Sequence, residues 1–183
     1  ILIAVSNSYG IPLAMLAALV AAAVYGIVNG VAVGYFKANA VIVRLSTTYI
    51  GLGLLRLFSG GSIFFGPEDG AIREFGLSKL GPVPYSAIVL VIMTLILAFV
   101  LTRTNFGFLV RSFGVNESAT RLGGTNTSFV VIGAFLVTAV SAMIAGWVLA
   151  GFSNTAVSAM SSGYDFRALA AIIVGGTSVF GGK

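Results

Sequence analysis

The stretch 13-LAMLAALVAAAVYGIVNGVAVGYF-36 holds no charged residue and ends immediately before Lys37. The hydrocarbon core of a bilayer is about 30 Å thick and takes about 20 apolar helical residues to cross, so this stretch reads as a membrane span. Working outward, residues 40–58 form a second apolar window, with Arg44 near one end and Arg56 near the other. Residues 85–102 and 129–152 form a third and a fourth. A fifth, residues 168–180, is shorter and contains Gly175 and Gly176, which reads as a span cut short, broken or re-entrant. The expected fold class is all-α: a polytopic transmembrane helical bundle of about five membrane segments, one domain over residues 1–183. The chain starts at Ile1, inside an apolar stretch, and is expected to be incomplete at both ends.

Composition agrees with this reading. Of 183 residues, 58% are hydrophobic and 8% charged, against roughly 25% charged in a soluble domain. Ten basic and five acidic side chains cannot cover a water-facing surface of this size. With no cysteine and no histidine, the chain lacks thiol nucleophiles, imidazole acid/base chemistry and the usual zinc ligands. The net charge of +5 comes from basic residues spread singly, a pattern of loop orientation and not of nucleic-acid binding. Residues 176–183, Gly-Thr-Ser-Val-Phe-Gly-Gly-Lys, miss the phosphate-loop register by one residue, and no Ser or Thr follows Lys183. An intramembrane aspartyl pair would need Asp165 and Asp69, but Asp69 lies in a polar loop. The expectation is a chain that is not an enzyme and holds neither metal nor cofactor.

Charges between the spans set the orientation. The 102–128 loop has Arg103, Arg111 and Arg121 against Glu117, whereas the 59–84 loop has Arg73 and Lys79 against Glu68, Asp69 and Glu74. Basic residues are retained in the cytoplasm, which places the 102–128 loop there together with Lys37 and Lys183, and the 59–84 loop outside. Arg44 and Arg56, about 18 Å apart along one helix, are expected to snorkel to opposite faces, Arg44 to the cytoplasmic one. Small residues recur at every fourth position in Ala18, Ala22, Gly26, Gly30 and Gly34, and again in Ala134, Thr138, Ala142, Gly146 and Ala150. Each stripe predicts a close helix–helix seam.

Within the cytoplasmic loop, residues 114–126 read as a self-contained short helix. Asn116 suits the N-cap, Glu117 the positive N-terminal end, Arg121 the last turn and Gly123 a left-handed C′ position. Such complete capping fits a preformed knob that enters a partner's groove.

The pattern Gly114-x-Asn116-x-x-Ala119-x-Arg121-Leu122-x-Gly124-x-Asn126 resembles the coupling loop of membrane permeases from ribose-type bacterial ABC sugar importers. The resemblance continues through Asn29-Gly30, Asn39-Ala40-Val41-Ile42, Ser59-Gly60-Gly61-Ser62, Arg103-Thr104-Asn105-Phe106-Gly107 and Gly163-Tyr164. It ends in the run from Ala168 through Gly175-Gly176-Thr177-Ser178 to Gly182, and so covers the chain from about residue 10 to its end. It implies a multi-pass permease subunit of the bacterial inner membrane. Its partners would be a cytoplasmic ATPase that binds the ATP, a second permease subunit forming a homo- or heterodimer, and a periplasmic sugar-binding protein. Gly114, Asn116, Ala119, Arg121, Leu122, Gly124 and Asn126 would then couple to the ATPase.

This chain departs from the family at several positions. Arg44 stands where such permeases usually have Thr, and Leu52 where Arg is common. Asp165, Phe166 and Arg167 replace Glu, an apolar residue and Asp.

Pathway candidates are Asn29, Ser46, Thr47, Thr48 and Tyr49, polar groups at membrane depth, together with Gly175, Gly176 and Thr177. The same polar groups also suit hydrogen bonding to neighbouring backbone. Glu68, Asp69, Arg73, Glu74, Asp165 and Arg167 are the candidates for docking the binding protein, and Ile72, Phe75 and Leu77 suggest a short amphipathic helix beside them. Other readings are a related permease for branched-chain amino acids or nucleosides, an ion-coupled secondary transporter, and a scaffold protein. A secondary transporter needs a buried acid, whereas all five acids are expected in or next to loops.

Overall fold

The computed structural model describes residues 10–66, 76–157, 160 and 162–176. Seven helices are described: α1 (Ile11–Gly34), α2 (Ala40–Ser59), α3 (Tyr85–Arg103), α4 (Asn105–Val115), α5 (Glu117–Leu122), α6 (Thr127–Ser153) and α7 (Tyr164–Val174). Four of them, α1, α2, α3 and α6, are long and apolar enough to cross a membrane. Their ends follow from local chemistry. Pro12 opens α1, where a missing N–H costs nothing. The Asn39 side chain accepts hydrogen bonds from Val41 and Ile42 at the start of α2, and Gly60 closes that helix at φ 57°.

The main seam joins α1 and α6. A methyl group on Gly30 would lie 2.7 Å from Ile132 Cα, and one on Gly26 would lie 3.1 Å from both Leu136 Cα and Ala139 Cβ. Ser128 Oγ donates to the Gly34 carbonyl at 2.7 Å, which fixes that end of the seam. Lipid tails are as apolar as the helices themselves, so this close approach supplies contact energy that burial alone does not. The three glycines of the first stripe thus form the predicted seam, but Ala18 and Ala22 line a cavity. The second stripe is corrected: Ala134, Thr138, Ala142, Gly146 and Ala150 also face that cavity, and a Cβ on Gly146 would meet nothing within 4 Å. The neighbouring face of α6, with Ser128, Ile132, Leu136 and Ala139, makes the contact instead.

At the Gly34 end of the seam, Thr104 ends α3 and caps α4, accepting from the Gly107 N–H. A Cβ at Gly107 would collide with the Val100 and Leu101 carbonyls, so this sharp corner excludes a side chain. α4 then crosses the start of α6, with the Phe106 ring seated over Gly133. On the other side, β1 (Phe64–Phe65) pairs antiparallel with β4 (Thr155–Ala156). Asn154, left-handed at φ 48°, exchanges hydrogen bonds with Gly66. β2 (Lys79–Leu80) and β3 (Val83–Pro84) form a small hairpin leading into α3. These short pairings are the only strands described, in an otherwise helical chain.

Two contacts sort the loops between the two ends of the bundle. Lys37 pairs with Glu117, bringing the α1–α2 turn beside α5. Gly76 packs against the Gly151–Phe152 backbone, bringing the 59–84 loop beside the far end of α6. The expected helix around Ile72 and Phe75 lies outside the described residues, although Gly76 and Leu77 are helical. The fifth segment, expected over 168–180, appears as α7, 11 residues long. At 1.5 Å per residue α7 spans only about half of the hydrocarbon core.

Candidate functional site: a cavity between spans and a capped short helix

A cavity of about 740 Å³ lies between α1, α2, α6 and the start of α7, within the roughly 300–1,000 Å³ of small-molecule pockets. Alanines and Gly146 form much of its wall, because small side chains leave the space open. Polar groups gather on one side.

Asn29 is fully buried. Its Nδ2 donates to the Tyr25 carbonyl at 2.9 Å, and its Oδ1 accepts from Thr47 Oγ1 at 2.8 Å. An unpaired amide at this depth would be costly, and the paired one ties α1 to α2. Thr48 Oγ1 lies 2.8 Å from the Arg44 carbonyl and 3.2 Å from the Tyr25 hydroxyl. Of the pathway candidates, Asn29 and Thr48 line the cavity, and Thr47 stands behind Asn29. Ser46 and Tyr49 are exposed on this chain, Tyr49 at 72%, and neither lines the cavity. Gly175 and Gly176 terminate α7, Gly176 at φ 77°. Thr177 lies outside the described residues.

Arg44 does not follow its expected course. Its Nη2 lies 3.6 Å from Asp165 Oδ1, and both side chains line the cavity. The expectation of snorkelling to the cytoplasmic face is therefore corrected: a half-exposed carboxylate lining the cavity offers the guanidinium a partner. Arg44 lies about 22 Å of helix before Ser59, so Asp165 sits well within the span of α2 and not at its outer end. Arg167 takes no part in the pair; its guanidinium stacks over the Tyr164 ring at 5.3 Å. Glu68, Asp69, Arg73 and Glu74 lie outside the described residues. Tyr25, Met143 and Trp147 also line the cavity and were not singled out from the sequence. Tyr25, one helical turn from Asn29 and on the same face, carried a usable signal.

Beside the α1–α2 turn, α5 is capped as predicted at its start. The Asn116 side chain accepts from the Ala119 N–H at 3.0 Å, with Glu117 in the first turn and Arg121 in the last. Its end differs by one residue: Gly123 has φ −71° and Gly124 has φ 81°, so Gly124 is the left-handed residue. Gly123 N–H reaches the Ala119 carbonyl first, which continues the helical turn by one residue. Asn126 caps α6 by accepting from the Ser128 N–H. Gly114 lies in the last turn of α4, while Ala119 lines a groove between α4 and α5 that also includes Phe108, Arg111 and Thr120. Leu122, at the tip, is 90% exposed.

Apolar spans enclosing a cavity, with a capped short helix projecting at one end, define a polytopic membrane protein. The sequence matches, over residues 1–182, the family described as "Branched-chain amino acid transport system / permease component", and the chain belongs to that family. It is 31% identical over 180 residues to the autoinducer 2 import system permease protein LsrC of Salmonella typhi, covering 96% of this chain and 50% of that protein. It is 29% identical over 170 residues to the D-allose transport system permease protein AlsC of Escherichia coli, covering 93% and 52%. The galactofuranose transporter permease protein YtfT of Escherichia coli is 29% identical over 178 residues, covering 96% and 51%. The chain thus spans about half the length of these curated relatives. No solved structure matches it.

Proposed function

We propose that the protein containing this chain is the membrane permease subunit of an ATP-driven importer in the bacterial inner membrane, translocating a sugar handed over by a periplasmic binding protein. The observation that carries this reading is α5: a six-residue helix, capped at Asn116, with Arg121 exposed and Leu122 at its tip. Isolated helices this short do not persist in water, and a connector between two spans does not need one. A rigid projection of this kind suits the groove of a cytoplasmic ATPase, which supplies the nucleotide site that the chain itself is not expected to contain. The three relatives, whose names give autoinducer 2, D-allose and galactofuranose as cargo, support a sugar.

Motion has a route from α5 into the spans. Lys37 joins α5 to the α1–α2 turn, and α1 is locked to α6 through Gly26, Gly30 and Gly34. Displacement of α5 by closure of the ATPase dimer would therefore tilt α1 and α6 together and reshape the cavity they flank.

The test is ATP-driven sugar uptake and ATPase stimulation by the full-length permease, reconstituted with its ATPase and binding protein. Arg121→Glu combined with Asn116→Pro abolishes both under this proposal. Survival of both would overturn it.

A further inference from the structure

We infer that Arg44 and Asp165 together form the specificity-determining contact of the cavity, and that they select a neutral, polyhydroxylated solute over an anionic one. This rests on the reading of the cavity as a solute pathway.

The spacing comes first. Nη2 and Oδ1 are 3.6 Å apart, longer than the 2.7–2.9 Å of a direct charge-assisted hydrogen bond. Each charge is partly compensated by the other, while its hydrogen-bonding capacity remains available. Among the described residues, neither side chain hydrogen-bonds elsewhere; both line the cavity, and the two side chains are 55% and 50% exposed.

A row of guanidinium donors beside carboxylate acceptors matches a vicinal diol. One hydroxyl accepts from Arg44 while its neighbour donates to Asp165, and the ion pair stays intact. An anion fits poorly, since Asp165 cancels the field of Arg44 and adds repulsion. A zwitterionic amino acid would have to pull the pair apart to engage both charges. The hydroxyls of Tyr25 and Thr48 border the same side of the cavity and extend the polar face. The opposite wall, on α6, is mainly apolar, with Phe135, Met143 and Trp147 among its alanines and the Thr138 hydroxyl donating to the Ala134 carbonyl, and suits the C–H face of a sugar ring.

The experiment is saturation-transfer difference NMR on the purified full-length permease without its binding protein, which registers weak contacts directly. The probes are D-ribose, D-allose and D-galactose, each paired with its aldonate, and leucine. The wild type should give a signal with at least one neutral sugar and none with the aldonates or leucine.

Asp165→Asn should lower the sugar signal at least threefold and bring up an aldonate signal, because Arg44 is then an uncompensated cation. Arg44→Lys keeps the charge but not the planar fork, and should lower the sugar signal without admitting aldonates. Thermal melting of each variant separates loss of contact from loss of fold. For any variant that does not fold, the competition between sugar and aldonate on the wild type decides the question.

The inference is overturned if no neutral sugar gives a signal on the wild type, if leucine or an aldonate displaces the sugar, or if folded Asp165→Asn keeps the wild-type pattern. It is also overturned if exchanging the two residues, Arg44→Asp with Asp165→Arg, fully restores the sugar signal lost in Asp165→Asn. Full restoration would mark the pair as a latch between α2 and α7. None of these outcomes affects ATP-driven uptake as such, whose failure would count against the proposed function instead.

Discussion

A methyl group at Gly30 would sit 2.7 Å from the Ile132 backbone, which cannot swing aside as a side-chain tip can. Gly30→Val therefore forces α1 and α6 apart, and overpacking of this kind costs about 1–3 kcal/mol. The expected result is a clearly lower melting temperature in detergent. Gly146→Ala, where a Cβ meets nothing within 4 Å, should leave it unchanged. Both residues belong to stripes that look alike in sequence. The spacing of small residues marked the positions where helices can approach, but which stripe does so depends on the rotation of α6 about its axis, which neighbouring helices set. Arg44 shows the same limit. Its chain position near the end of a span predicts snorkelling, and only the return of the chain after α6 brings Asp165 within reach.

Among the elements, α5 depends most on individual side chains. Removal of the cap in Asn116→Ala costs about 1 kcal/mol, which is about a fivefold faster amide exchange over residues 117–122. Mass spectrometry of deuterium uptake reads this directly. The Lys37–Glu117 pair is about half exposed, with side chains 49% and 44% accessible, so its contribution is well under 1 kcal/mol. Lys37→Glu should still accelerate exchange in α5, and the exchanged pair Lys37→Glu with Glu117→Lys should restore protection. The four long helices and the start of α5 were legible because hydropathy and capping are local signals. The α4 helix was not read from the sequence, although Thr104 offered a cap and Phe106, Leu109, Val110 and Phe113 an apolar face. Its brevity and its basic residue Arg111 made it resemble a loop.

For the molecule as a whole, orientation is the property that everything else presupposes. The chain contains no cysteine, so single cysteines report sidedness without background. Ser118→Cys, beside the Lys37 contact, should react with a membrane-impermeant maleimide only from the cytoplasmic side. Ser62→Cys, between α2 and β1, should react only from outside. No residue of α2 or α3 is buried among the described residues, so large apolar faces remain for lipid or for another subunit. The central claim is that α5 is the handle by which an ATPase drives the cavity. The measurement that tests it most directly is co-purification of the full-length permease with its ATPase subunit, before and after Leu122→Asp at the exposed tip of α5. The account predicts a stable complex that is lost on substitution, with ATP-driven uptake lost alongside it. An undiminished complex, or uptake that ignores ATP and collapses with a protonophore, would contradict it.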